Sequence, residues 1–334
     1  MWTLQEEFSH FEIGPSSQFR NLTLFPLMRR STPTPPLDYL LLEDGIAQRK
    51  VRVTELHAGG SVPELRLENN ADLPVLIVDG EELVGAKQNR VLNLTILVPA
   101  KQTTVIPVSC VEAGRWKMAS PDLKPADHVM YSFGRGKRVA DVTESMRSNG
   151  TRTSNQGAVW RDIAAKAMRL GASSPTGAMS AIYERHSSML EEFSRAFKWQ
   201  DGQSGVTFGM GGRILGLEIF DDPEVMRRFF QKLVRSYALD ALDESQTGAQ
   251  PVGLEDVHVR AHITLVGSAQ SFTEQALGLG KDVRFRGPQV SGAALWAQGR
   301  YVHICSFVKN TESSTSPFWT RFTRASHRAH FSVI

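Results

Sequence analysis

Between residues 16 and 116, apolar and β-branched stretches recur at short intervals: Leu22–Leu27, Val51–Leu56, Leu65–Glu68, Pro74–Val78, Val91–Val98 and Thr103–Val111. Gly, Pro and Asn/Asp clusters such as AGGSVP and ENNADLP separate them, as expected between strands. Strands at this spacing predict an antiparallel sandwich or barrel, with STPTPP at 31–36 as a rigid loop between two of them. After Ser120 the period lengthens. Asn155 stands where a cap would, before a helix carrying Val159, Ile163 and Ala167 at four-residue spacing. Ser174-Pro175 predicts the start of a second helix with Ile182, Met189, Leu190, Phe193 and Phe197 on one face. GVTFGMGGRILGLEIF reads as a hairpin turning at Gly211-Gly212. Asp222-Pro223 opens a helix with a broad stripe of Met226, Phe229, Phe230, Leu233, Val234 and Tyr237. A further helix is expected within 252–276, and VSGAALWAQGRYVHICSFV forms a second hairpin around Gln298-Gly299.

The expected fold is therefore α+β, a β-rich antiparallel sandwich or barrel N-terminal half packed on an α+β C-terminal half. The β-rich domain is placed at 1–125, the α+β domain at 126–308, and a poorly ordered basic tail at 309–334. With 334 residues, 41% hydrophobic and 22% charged, the chain is long enough for one large domain or two ordinary ones. The same figures exclude wholesale disorder and a coiled coil. No apolar run approaches the roughly 18 residues of a membrane span, so no membrane partner is expected. The start, MWTLQEEFSHFEIG, lacks a basic segment followed by an apolar block. Two cysteines cannot make a disulfide framework. The expected location is the cytoplasm.

Lys and Arg exceed Asp and Glu by 38 to 35. From Lys309 onward, Lys309, Arg321, Arg324 and Arg328 face the single acid Glu312, so the whole excess lies in the tail. A balanced body argues against a dedicated nucleic-acid surface, which needs a clustered basic face. Phe318, Trp319 and Phe322 among the tail arginines are a candidate contact for a protein partner.

The densest chemistry lies between two strands. Val75–Val78 runs into Asp79, Gly80, Glu81 and Glu82, followed closely by Lys87, Gln88, Asn89 and Arg90. Carboxylates suit base catalysis or metal ligation, Lys with Arg suits an anionic group, and amides read sugars or bases. If Val91–Val98 pairs with Thr103–Val111 through a turn at Pro99–Gln102, Cys110 faces Val91 and Glu112 faces Asn89. Alternation then puts Lys87, Asn89, Cys110 and Glu112 on one face and Gln88 and Arg90 on the other. Arg115 and Trp116 follow at the strand's end. The plainer alternatives are exposed turn ion pairs, which contribute little, and a small buried hydrophobe at Cys110.

Elsewhere the signals are weaker. Ser154, Asn155, Gln156 and Trp160 surround a helix start, where capping accounts for the first two. His258 and His262 have the four-residue spacing of helical metal ligands, without an evident third. Gly278-Leu279-Gly280 and Gly209-Met210-Gly211-Gly212 lack the strand–loop–helix setting and the Gly-Lys-Ser/Thr ending of a phosphate loop.

The stretches VPELRLEN, DGEELVGAKQNR and IPVSCVEAGRW resemble the ADP-ribosylglycohydrolase- and rhodanese-phosphatase-associated protein domain family, as do QGAVW, SPTG and LVRSYALDA. The resemblance covers roughly residues 15–308 and implies, by association, a link to NAD or ADP-ribose metabolism. It carries no catalytic mechanism. The resulting expectation is a protein that binds, and as an enzyme would hydrolyse or transfer from, an ADP-ribose-like or phosphorylated nucleotide-sugar ligand. Glu81 or Glu82 would act as base or metal ligand, with Asp79 beside them. Lys87 and Arg90 would hold phosphate, and Glu112 would orient Lys87 or donate a proton. Trp116 would stack on a base, and Gln88, Asn89, Arg115, Gln156 and Trp160 would line the ligand. A divalent metal is compatible with these carboxylates and required by none of them, so the cofactor stays open. Two alternatives are a non-catalytic sensor or adaptor in which the cluster is structural, and an enzyme centred on Cys110.

Overall fold

The computed structural model describes residues 1–30, 37–245 and 253–309; the loop expected at 31–36 and nearly all of the expected tail lie outside them. A nine-stranded antiparallel sheet runs β1 (Phe11–Ile13), β3 (Leu22–Arg29), β13 (Gln203–Met210), β14 (Arg213–Phe220), β18 (Arg300–Val308), β17 (Val290–Ala297), β16 (Lys281–Arg286), β15 (Gln270–Gln275), with β2 (Ser17–Phe19) paired to β3. A six-stranded sheet is ordered β12 (Leu123–Val129), β8 (Glu81–Gly85), β9 (Arg90–Leu92), β11 (Gln102–Cys110), β6 (Glu64–Asn69), β5 (Val51–Glu55). It curls into a half-barrel, so that Arg52 on β5 reaches Asp122 beside β12 at 2.6 Å. Across its open side lie β10 (Ile96–Val98), β7 (Val75–Ile77) and β4 (Leu40–Leu41), the last pair parallel. The helices are α1 (Leu4–Phe8), α2 (Leu42–Ala47), α3 (Ser132–Asn149), α4 (Gln156–Arg169), α5 (Ser180–Arg185), α6 (Ser187–Ala196), α7 (Pro223–Ser245) and α8 (Asp256–Gly267). The α+β class is as expected.

Three apolar cores follow from this layout. One fills the half-barrel, with Leu65, Leu67, Leu83, Leu92, Ile106 and Val108 meeting Val75, Ile77 and Ile96. The nine-stranded sheet is covered on both faces, by α7 on one side and by α1 and α8 on the other. Two covered faces explain why every residue of β13 is buried and why its sequence lacks a polar alternation. β1 to β3, from the expected first domain, sit in the same sheet as the strands of the expected second.

Both expected hairpins form, with Gly211 and Gly212 at φ 59° and 77°, the left-handed backbone that a two-residue turn demands. Asn155 caps α4 through the Ala158 amide at 3.0 Å. The helix expected from Ser174-Pro175 begins instead at Ser180 and breaks at His186 into α5 and α6, since Thr176 and Gly177 are held in a turn against Glu112 and Ser174. Val91–Val98 is not one strand. It ends at Leu92, and Ile96–Val98 crosses to pair with β7.

Buried charge joins the half-barrel to the rest. Asp79, at the β7–β8 corner, accepts from Arg138 Nη2 at 2.5 Å and from Arg135 Nε at 3.3 Å. Arg135 also makes a two-pronged pair with Glu218 on β14, at 2.6 and 3.2 Å. Glu218 meets His303 Nε2 at 3.1 Å, and the other ring nitrogen reaches Thr95 Oγ1 at 2.8 Å. Burial alone would lower the Arg135 pKa; Glu218 and Asp79 outweigh it and raise it. Gly80 has φ +88°, and a Cβ there would stand 2.5 Å from Arg135 Nε, so this corner admits only glycine.

Removing one partner of such a network leaves uncompensated buried charge, at a cost of about 3–5 kcal/mol. Asp79→Ala is therefore expected to lower the urea unfolding midpoint strongly, whereas Lys101→Ala, which breaks an exposed pair with Asp72, leaves it in place. Equal midpoints for the two variants would refute the staple.

Candidate functional site

The polar motif occupies β8, a tight turn and β9. The observed register joins Cys110 to Arg90 and Ser109 to Val91, one residue away from the expected pairing. A one-residue slip reverses the faces. Arg90, not Asn89, thus shares the inner face with Cys110. The cause is the early end of β9: Thr95 is drawn away by the Asp79 amide (3.0 Å) and by His303, so the strand cannot continue along β11. Glu112 and Asn89 nonetheless remain neighbours, the Asn89 amide donating to Glu112 Oε2 at 3.2 Å.

Because Glu82 pairs with Val91 and Leu83 with Arg90, the side chains of Glu82 and Arg90 leave the β8–β9 ribbon on opposite faces. On the Glu82 side the polar groups form one chain. Glu112 Oε2 accepts from Arg115 Nε at 2.8 Å, and its other oxygen accepts from the Thr176 hydroxyl at 2.7 Å. Burial would raise the Glu112 pKa, but these donors and the Asn89 amide hold it below the usual carboxylate range. Arg115 Nη2 donates to Asn89 Oδ1 (3.0 Å), Asn89 Nδ2 donates to Glu82 Oε1 (3.1 Å), and Glu82 Oε2 meets His128 Nε2 at 2.6 Å. Gln88 Nε2 donates to the Glu112 carbonyl at 2.9 Å. Glu81 is turned inward: Val78 N donates to it at 2.8 Å, Lys232 lies 3.7 Å away, and burial raises its pKa against the pull of Lys232. Neither Glu81 nor Glu82 faces solvent, and Glu112 orients Arg115 rather than Lys87.

On the inner face, Arg90 is fully buried, and its three guanidinium nitrogens have no hydrogen-bond partner among the described residues. Glu55 Oε1 lies 3.8 Å from it, too far for a hydrogen bond, and Glu55 Oε2 is unpartnered as well. Burial lowers the Arg90 pKa. The guanidinium stands 5.5 Å from the ring centre of Trp116, and Lys87 Nζ stands 5.4 Å from the same ring. Trp116 itself is 46% exposed. The segment after β5 closes over this group: Lys87 Nζ donates to the Gly59 carbonyl at 2.7 Å, and Gly60 packs against the indole. Lys87, Arg90, Cys110 and Trp116 are thus together at one end of the half-barrel, while Asp79, Glu81 and Glu82 are committed elsewhere.

Gln156 belongs to neither group's open side: its amide clamps the Cys110 backbone N–H and C=O, both at 2.8 Å, fastening α4 to β11. Trp160, one turn on, keeps its Nε1 buried without a partner among the described residues. His262 is buried against Ser306 at 2.8 Å, burial pulling its pKa down to about 4, whereas His258 caps the start of α8. Among the described residues, no group of three His, Cys, Asp or Glu is placed to hold a metal. Two participants escape sequence reasoning. Glu55 lies on β5, at the far edge of the six-stranded sheet from the motif strand β8, and His128 on β12, which pairs with β8 directly but reads from sequence as a domain boundary without periodicity.

Cys110 is a test of the thiol reading. Burial pushes its pKa up to about 11, although Arg90 pulls the other way. At pH 7 roughly one molecule in ten thousand would then carry the thiolate. Alkylation of the folded protein by iodoacetamide is expected to be slow at pH 7 and to rise about tenfold per pH unit toward pH 10. Fast, pH-independent labelling of Cys110 would contradict this.

No helix among the described residues is long and apolar enough to cross a membrane. Neither the curated proteins nor the solved structures contain a match. The sequence model of the ARG and Rhodanese-Phosphatase-superfamily-associated Protein domain does match, over residues 10–307, and so takes in the strands of all three sheets except Val308, with the motif and each residue of the two polar groups. The chain belongs to the ARPP-1 domain family.

Proposed function

We propose that this protein binds an ADP-ribose-like or other phosphorylated nucleotide-sugar ligand at the end of the half-barrel. Phosphate would rest on Arg90 and Lys87, and an aromatic base on Trp116. The observation that carries the reading is the buried guanidinium of Arg90, whose three nitrogens have no hydrogen-bond acceptor among the described residues. Buried charged groups are ordinarily hydrogen-bonded or paired, and one left without acceptors costs several kcal/mol. An anion drawn in beneath the Gly59–Gly60 segment would supply those acceptors. Arg115 and Glu112 offset each other, so Arg90 and Lys87 outweigh Glu55 by one positive charge, the sign a phosphate needs. Trp116 adds an exposed π face beside two cations. Two free, buried cysteines suit a reducing compartment such as the cytoplasm. For turnover, hydrolysis or group transfer is the class of reaction that such a ligand admits.

A second reading has its own support. Asp79, Glu81, Glu82, Gln88, Asn89, Glu112 and Arg115 all bond internally, as they would in an adaptor whose motif is architectural. Ligand binding separates the two. ADP-ribose at a hundred times its dissociation constant should stabilise the native state by about 2.7 kcal/mol, seen as a raised melting temperature. Trp116→Ala should weaken binding by about 1–3 kcal/mol through lost stacking, measured by calorimetry, without lowering the melting temperature of the free protein. No shift with ADP-ribose, NAD or AMP would leave the adaptor reading in possession.

A further inference from the structure

A hollow lies on the opposite face of the β8–β9 ribbon from Arg90, between the end of β12, the start of α6 and the middle of α7. Its volume is about 400 Å³, and His128, Tyr183, Ser187, Ser188, Glu191 and Arg235 line it. That size suits a small ligand. We propose that this hollow is a site for a phosphomonoester, with His128 as general base.

The geometry fixes His128 on two sides. Its Nε2 meets the buried Glu82 carboxylate at 2.6 Å, and its ring stacks on Tyr183 with centres 3.9 Å apart. The Tyr183 hydroxyl is in turn tied to the Val129 carbonyl at 2.8 Å. In the neutral imidazole, a carboxylate acceptor on Nε2 assigns the proton to that nitrogen and leaves a lone pair on Nδ1, which has no hydrogen-bond partner among the described residues. This is the orienting role that a carboxylate plays for a general-base imidazole. Glu82 is held by Asn89, Asn89 by Arg115, and Arg115 by Glu112, so the sequence motif ends at this ring as its support. Glu82 is a positioning residue; it does not reach the hollow.

The substrate class follows from the remaining lining. Arg235 is loosely engaged, at 3.3 Å from the Asp127 carbonyl and 3.4 Å from Glu191, whose other oxygen meets Arg195 at 3.3 Å. Two guanidinium groups thus share one carboxylate, and Arg235 would exchange its long contact with Glu191 for parallel N–H bonds to a phosphate. Ser187 and Ser188 also line the hollow. In the step, water gives a proton to His128 Nδ1 as its oxygen bonds phosphorus. The P–O bond to the organic group breaks on the opposite side of phosphorus, with its electron pair on the departing oxygen. That oxygen takes a proton from solvent and His128 returns its own to solvent, giving alcohol and inorganic phosphate, with no oxidant or further reactant. The site is independent of the ligand reading at Arg90, which faces the other way.

The test uses the whole chain with p-nitrophenyl phosphate as probe. The unaltered protein and the Lys101→Ala control should release nitrophenolate at the same rate. His128→Gln should lower that rate about 100-fold or more. Glu82→Gln should lower kcat with KM unchanged, a split that a loss of folded protein would not produce. Arg235→Ala should raise KM. Independently, diethyl pyrocarbonate should modify His128, and millimolar inorganic phosphate should slow that modification in the unaltered protein but not in Arg235→Ala. Absence of turnover by the unaltered protein, turnover that survives His128→Gln, or modification of His128 indifferent to phosphate would each overturn the proposal.

Discussion

A carboxylate cannot be buried alone, and the position of Asp79 makes that constraint govern the fold. Two arginines, Arg135 and Arg138, one turn apart on α3, converge on it, and Arg135 carries the connection onward to Glu218 and His303 in the nine-stranded sheet. Because the attraction acts at low dielectric, each member depends on the others for its charge, and the network forms as a unit or fails as one. The corner must then be glycine, to admit the Arg135 side chain. The Asp79 amide and His303 must share Thr95, which pulls the chain out of line after Leu92. That departure ends β9 early and sets the register that puts Arg90 beside Cys110. A packing requirement between two sheets thus determines which charged side chains enter the half-barrel.

Elements with their own local signals were legible in the sequence. The Gly211-Gly212 and Gln298-Gly299 hairpins, the Asn155 cap and the long stripe of α7 all depend on residues within a turn or two of one another. Of the half-barrel strands, β5, β6, β9 and β11 were legible for the same reason, whereas β8 read as the link between two strands and β12 as a domain boundary. Their partners were not. Whether Val91 faces Ser109 or Cys110 depends on Thr95 bonding to His303, 208 positions away, and alternation holds no trace of that contact. The break between α5 and α6 is of the same kind, since Ser174-Pro175 is ordinary helix-start chemistry until Glu112 claims Thr176.

The candidate site divides along the same line. Lys87, Arg90 and Trp116 gather as the residue types led one to expect, because a basic pair and an indole near one sheet end need only a short turn to meet. The acids do not join them. Asp79 is taken by α3, Glu81 by the Val78 amide, and Glu82 by Asn89 and His128. Charge density in the sequence marked a densely bonded polar segment but not its allocation, since a run of charged residues on a ribbon must send successive side chains to opposite faces.

That alternation gives the motif two different electrostatic outcomes within a few ångströms. On one face every polar group is matched in sequence, from Glu112 through Arg115 and Asn89 to Glu82, and the order ends in an imidazole with one nitrogen committed and the other not. On the other face a guanidinium is enclosed with its acceptors too few and too distant. A saturated network has no reason to move, so its worth lies in the rigidity it lends to the last member. An unsaturated charge gains from any anion that reaches it, which is the physical ground of the proposal made for Arg90. Both outcomes rest on the same register: sliding β9 by one residue would exchange Arg90 for Val91 on the inner face and take Leu92 out of the half-barrel core with it.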